Sequence, residues 1–252
     1  MSTTDTTQTG GQTSGEPSTH TIGIIGAGNI GSTVAQLAVD AGHRVVIANS
    51  RGPETLADLV AQLGEGARAA TAAEAAEAGD LVVVTVPLKA YRELPAQQLA
   101  GKVVLDTNNY YPDRDGHIAE LDDHSATTSE LVARHLAGAS VVKVFNNIFF
   151  VALAALSKPA GDPARAALPI FGDDDDAKAV AVAFLDTLGY DAVDGGPLAR
   201  SWRAENGRPV YVMPYAKDGD VATPAPADAA TVRSLLEVAE LNDPDQQPRT
   251  LS

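Results

Sequence analysis

The chain has 252 residues, 44% of them apolar and 20% charged, enough for one sizeable core and too apolar for wholesale disorder. It has no cysteine, which excludes a disulfide framework, a thiolate zinc site, an iron–sulfur cluster and a cysteine nucleophile. Lys and Arg number 18 against 33 Asp and Glu, a formal charge of −15 that argues against nucleic acid and anionic membranes as partners.

Residues 1–19 are rich in Thr, Ser, Gly and Gln, with neither the basic start nor the apolar stretch of an export signal. They read as a disordered tail on a cytoplasmic protein. No apolar run approaches the roughly 18 residues needed to span a bilayer. Thr21–Ile25 is an apolar run of strand length. Asn29–Ala41 follows with Ile30, Val34, Leu37, Ala38 and Ala41 at helical spacing. Arg44–Ala48 predicts a strand, Glu54–Leu63 a helix, Ala67–Ala70 a weak strand and Thr71–Ala78 a helix. Asp80–Pro87 and Lys102–Thr107 read as buried parallel strands. A helix near Ser129–Leu136 leads to a strand over Val141–Phe145 and a short helix over Phe149–Leu156. Ala167–Gly172, Asp174–Leu188 and Tyr190–Val193 read as strand, helix and strand, and Asp228–Leu241 as a last helix.

Strands alternating with helices predict an α/β fold, a Rossmann-type doubly wound parallel sheet with a small C-terminal α/β extension. The expected divisions are a nucleotide-binding domain over 20–150, a small α/β subdomain over 151–205 and a polar tail with one helix over 206–252. That tail is expected to wrap the surface or meet a partner subunit.

Gly26-Ala27-Gly28-Asn29-Ile30-Gly31 is G-x-G-x-x-G between a strand and a helix, the context that makes this pattern a dinucleotide fingerprint. Gly26 makes the tight turn, Gly28 admits a pyrophosphate and Gly31 lets helix and strand approach. The second strand ends Ala48-Asn49-Ser50-Arg51, with no acid to accept from a ribose 2′-hydroxyl. Arg51 and the Ser50 hydroxyl suit a 2′-phosphate instead, so the expected cofactor is NADP(H) rather than NAD(H).

Ligands of such sheets lie beyond the carboxyl ends of the strands. Val86 and Pro87 are expected near the adenosine or its ribose, and Thr107, Asn108 and Asn109 near the nicotinamide ribose. Asn146 and Asn147 are candidates for the nicotinamide edge or the second substrate. An asparagine in such a place serves equally well as a loop turn or helix cap. None of the five histidines is placed as an evident acid or base, and Lys89 is the one basic candidate near the cleft. A missing proton donor points to a substrate that takes a hydride on carbon. Asp173–Asp176 opens a helix and reads as a cap rather than a metal site.

Taken together, IGIIGAGNIGSTVAQLAVDAGH, NSRGPETL, DLVVVTVP, GKVVLDTNNYY, VVKVFNNI, LPIFGDDDDAK and DAVDGGPLARSWRAE, spanning about Thr21–Glu205, resemble the NADP oxidoreductases that use the deazaflavin coenzyme F420. The resemblance implies a homodimer and direct hydride transfer between nicotinamide and deazaflavin. It implies that Gly28, Asn29 and Ile30 hold the pyrophosphate and Ser50 with Arg51 the 2′-phosphate. It also implies that Gly196, Pro197 and Leu198, with the FNNI segment, face the second substrate. Trp202, the only tryptophan, departs from the pattern and is expected to shape the acceptor pocket. The tail beyond Asn206 is longer and more polar than the resemblance implies. Two alternatives stay open: a reductase of a small imine or hydroxy acid, and a non-catalytic NADP(H)-binding module.

Overall fold

The computed structural model describes residues 19–241; the expectations for 1–18 and 242–252 lie outside them. The first half alternates β1 (Thr21–Ile25), α1 (Asn29–Asp40), β2 (Arg44–Ala48), α2 (Ala57–Leu63), β3 (Ala67–Ala69), α3 (Ala72–Ala78) and β4 (Leu81–Val84). Next come α4 (Ala96–Leu99), β5 (Val103–Asp106), α5 (Pro112–Asp115), α6 (Ala119–Asp122), α7 (Thr128–His135) and β6 (Ser140–Lys143). The chain ends with α8 (Phe150–Ala155), β7 (Ala167–Gly172), α9 (Asp175–Thr187), β8 (Asp191–Asp194), the hairpin β9 (Ala216–Lys217) and β10 (Asp220–Pro224), and α10 (Ala229–Glu237).

Eight strands form one sheet in the order β3-β2-β1-β4-β5-β6-β7-β8. The first six are parallel neighbours in the Rossmann order, so the strand order reverses between β1 and β4. All of β4, LVVV, is buried, as a central parallel strand requires. On α1 the buried residues Gly31, Val34, Ala35 and Ala38 share one helical face, which packs on that sheet. Capping boxes at Thr71/Glu74 and Thr127/Glu130 fix the starts of α3 and α7. Asp174 accepts from the amides of Asp176 and Ala177 and so caps α9.

The sheet departs from the sequence expectation at its far side. β7 runs antiparallel to β6, pairing Lys143 with Phe171, and β8 then runs parallel to β7. β6 also stops at Lys143, because Phe145 takes a φ of 62° and turns the chain away. The segment beyond Asn206 does not merely wrap the surface: Val210, Val212 and Tyr215 are buried. The Tyr215 hydroxyl donates to the Ala167 carbonyl at 2.8 Å and accepts from the Asn147 amide at 3.1 Å. Among the described residues no helix is long and apolar enough to cross a membrane.

Candidate active site

Two adjoining cavities lie beyond the carboxyl ends of β1, β2, β4, β5 and β6, sharing Gly28, Thr85, Val86 and Pro87. The first, of about 690 Å³, is floored by Gly26, Ala27 and Gly28. Gly26 has a φ of 117°, and a Cβ there would sit 2.2 Å from the Thr85 carbonyl oxygen. A Cβ on Gly31 would lie 1.9 Å from the Gly26 oxygen, so only glycine lets α1 start this close to β1. Gly28 differs: nothing lies within 4 Å of its Cβ position, which faces the open cleft. No side chain caps α1 and its first turn holds no acid. Its free amides and positive dipole end are therefore open to an anion.

At the rim, Asn49 organises the loop after β2. Its Oδ1 accepts from the Arg51 amide at 3.0 Å and its Nδ2 donates to Thr55 Oγ1 at 2.8 Å. Ser50 and Arg51 are exposed and line the cavity. Among the described residues the Arg51 guanidinium makes no hydrogen bond or ion pair. Lys89 and Glu93 line the same cavity, and Lys89 does not reach the lining of the second.

The second cavity, of about 370 Å³, is walled by Asn29, Ile30, Thr107, Asn108, Asn109 and Asn146, and by the apolar surfaces of Phe145, Ile148, Phe149 and Phe150. Tyr111, Arg114, Tyr211 and Val212 complete it. The Tyr111 and Tyr211 hydroxyls lie 2.5 Å apart, and Arg114 stacks 4.7 Å over the Tyr111 ring while donating to the Asn109 carbonyl. Burial above all, and then the nearby Tyr111, raise the Tyr211 pKa, so this hydroxyl keeps its proton. Phe145 and Val212 have φ values of 62° and 58°. A β-branched or bulky residue at positive φ is strained, and both strained residues face this cavity. The Val212 amide is held by the Asn147 carbonyl at 2.8 Å.

Beneath this end lies a buried polar cluster. Lys143 Nζ donates to the Asn108 carbonyl at 2.8 Å, to Thr128 Oγ1 at 2.6 Å and to Ser129 Oγ at 3.1 Å. Those hydroxyls donate onward, Thr128 to Glu205 and Ser129 to Asp106. Burial pushes the Asp106 carboxyl above its usual range, against the opposing pull of Lys143.

Of the residues expected from sequence, Gly26, Gly28, Asn29, Ile30, Asn49, Ser50, Arg51, Val86, Pro87, Thr107, Asn108, Asn109 and Asn146 line the paired cavities. Gly31 sits behind them as the packing glycine. Asn147 is fully buried and lines neither, because its amide is committed to the Val210 carbonyl and the Tyr215 hydroxyl. The Gly196-Pro197-Leu198 loop and Trp202 do not line the cleft either. The β6–β7 reversal sends the end of β8 towards the opposite edge of the parallel strands, where the Leu198 amide bonds Asp173. Trp202 lies under Arg203 and Arg208 beside a separate cavity of about 200 Å³. Sequence reasoning missed Tyr211, Val212, Arg114 and Lys143. The available signal was the apolar run Val210–Met213 between two prolines in a polar tail.

Residues 21–110 match the family described as NADP oxidoreductase, coenzyme F420-dependent. The match covers the first βαβ units of the sheet and stops after β5. Among solved structures, the chain is similar to a hypothetical protein of Sinorhizobium meliloti, at 29% identity and TM-score 0.68 over 84% of this chain and 97% of that one. It is also similar to a provisionally named F420-dependent NADP-reductase of Arthrobacter sp. FB24, at 26% identity and TM-score 0.62 over 73% of this chain and 87% of that one. The 3-hydroxyisobutyrate dehydrogenase of Mycobacterium tuberculosis, at 19% identity and TM-score 0.52, shares the fold over 72% of this chain and 56% of its own. No curated protein matches the sequence.

The residues present fit NADP(H). Gly28 leaves a cradle that a side chain would fill, the helix start offers amides, and Arg51 meets no acid on its own loop. Bound there, NADPH would supply a hydride from its nicotinamide ring.

Proposed function

We propose that this chain passes a hydride directly between NADPH and the flat ring of a flavin-like acceptor, the deazaflavin F420 foremost, as a cytoplasmic homodimer. One observation carries the reading. The walls of the second cavity are mostly aromatic and aliphatic, and its lining holds no Asp, Glu, His or Lys. A planar ring stacks in such a space, and a hydride delivered to ring carbon needs no proton from the wall. The main chain at Gly28 and the α1 amides hold the pyrophosphate, Arg51 with Ser50 holds the 2′-phosphate, and Phe149, Phe150 and Val212 exclude water. Stopped-flow oxidation of NADPH with F420, FMN and riboflavin is the test. At least one acceptor accelerates the decay at saturating enzyme; no acceleration with any of them overturns the reading. Sedimentation equilibrium tests the dimer.

A second reading has its own observation. The Tyr111 and Tyr211 hydroxyls line the same cavity and could give a proton to the oxygen or nitrogen of a small carbonyl or imine substrate. Under that reading Tyr211→Phe abolishes turnover on a panel of keto acids and cyclic imines while NADPH binding persists. Unchanged turnover removes it.

A further inference from the structure

Asn108 is only 3% exposed, and neither its Oδ1 nor its Nδ2 has a hydrogen-bond partner. Burying both halves of a carboxamide unpaired is costly, and folded proteins rarely do so without a ligand or water to complete the set. Asn146 and Asn147 each leave one oxygen unpaired, but their amide nitrogens are committed. Asn108 alone of these three offers a free donor and a free acceptor side by side, and it lines the second cavity.

Its main chain is fixed from both sides. The Asn108 amide donates to Asp106 Oδ1 at 3.1 Å, and its carbonyl accepts from Lys143 Nζ at 2.8 Å. Through Thr128, Ser129 and Glu205, the end of β5, β6, the start of α7 and the segment after β8 all bear on this one residue. The clamp holds the backbone and leaves the side chain uncommitted.

We infer that the Asn108 carboxamide reads a planar amide edge inside the cleft, with Lys143 and Asp106 as positioning residues acting through its backbone. A donor beside an acceptor complements another donor beside an acceptor. A carboxylate or phosphate would meet the Asn108 oxygen unfavourably. Two sources carry this edge: the carboxamide of the nicotinamide and the pyrimidinedione of a flavin or deazaflavin. The inference deepens the reading above and rests on NADP(H) binding in this cleft.

The test compares the full chain with Asn108→Leu, and with Asn108→Ala in case the larger side chain disturbs folding. Dissociation constants are measured for NADPH, for 2′,5′-ADP, which keeps the 2′-phosphate and lacks nicotinamide, and for FMN and F420. The melting temperature of the ligand-free protein is recorded alongside. Since no internal partner is lost, that temperature holds or rises. A weakening of NADPH by about tenfold or more, for two lost hydrogen bonds, with 2′,5′-ADP within about twofold, supports the inference and names the nicotinamide as the source. Unchanged NADPH with weakened FMN or F420 supports it and names the acceptor. Equal losses for NADPH and 2′,5′-ADP, no loss for any probe, or a clear fall in melting temperature overturns it. Because cofactor affinity is read without turnover, failure of the acceptor assignment stays distinguishable from failure here.

Discussion

Gly28 and Asn108 face the same cleft from the ends of β1 and β5, the two strands that flank β4, and they are prepared by opposite means. Around Gly28 the wall is main chain: a glycine turn, an uncapped helix start and an exposed guanidinium at the rim. Around Asn108 the wall is side chain, held by a buried ammonium, two carboxyls and two residues in the left-handed region. On the proposed reading, the first end would recognise charge mostly with main-chain groups. The second would select shape and hydrogen-bond pattern with groups that must be brought together from far apart.

The contrast is most exposed to failure at Lys143. Removing its charge as Lys143→Met leaves Asp106 and Glu205 without their counter-ion, and we expect a destabilisation of about 3–5 kcal/mol, read by chemical denaturation. A change near zero would mean the cluster does not organise that end. Gly28→Leu should act the other way round. Its Cβ meets nothing in the fold, so stability holds while NADPH binding weakens by about 2 kcal/mol as the side chain fills the cradle. Calorimetry with a parallel melting curve separates the two. Arg51→Ala should weaken NADPH by about 1–2 kcal/mol and leave NADH nearly unchanged, as for an exposed charge-assisted contact; equal losses for both would remove the 2′-phosphate assignment.

The smallest effect lies away from both ends. His43 accepts from the His20 amide and lies 3.0 Å from Thr187 Oγ1. Burial, and then His20, hold its pKa below the ordinary 6.5. The folded state thus binds this proton less readily than the unfolded chain. The stability it contributes is full above about pH 6.5 and declines as pH falls through its lowered value. His43→Gln should flatten that slope in denaturation curves taken across the range, with NADPH affinity unaffected.

Legibility followed the same divide. The fingerprint at Gly26–Gly31 and the Asn49–Arg51 turn are local, so spacing and residue type pointed to their positions. The strand ends at Pro87, Asn108 and Asn146 followed from the alternation of elements. The Tyr111–Tyr211 contact joins residues 100 positions apart, and the short apolar run Val210–Met213 marks a segment that can be buried without saying against what. That Gly196–Leu198 line neither cavity comes from a single junction. An apolar run such as LPIFG predicts a strand but not its direction, and the reversal at β7 moved the loop to the other edge.

The closing wall at Tyr211 and Val212 comes late in the chain, which has a consequence for biosynthesis. A polypeptide leaves the ribosome N-terminus first, and β1 through β5 emerge well before the segment that docks Tyr215 on Ala167. On the proposed reading, the residues that would grip the phosphates are all synthesised before the wall that would shield the nicotinamide, so the last part of the chain to be made decides whether that compartment can close.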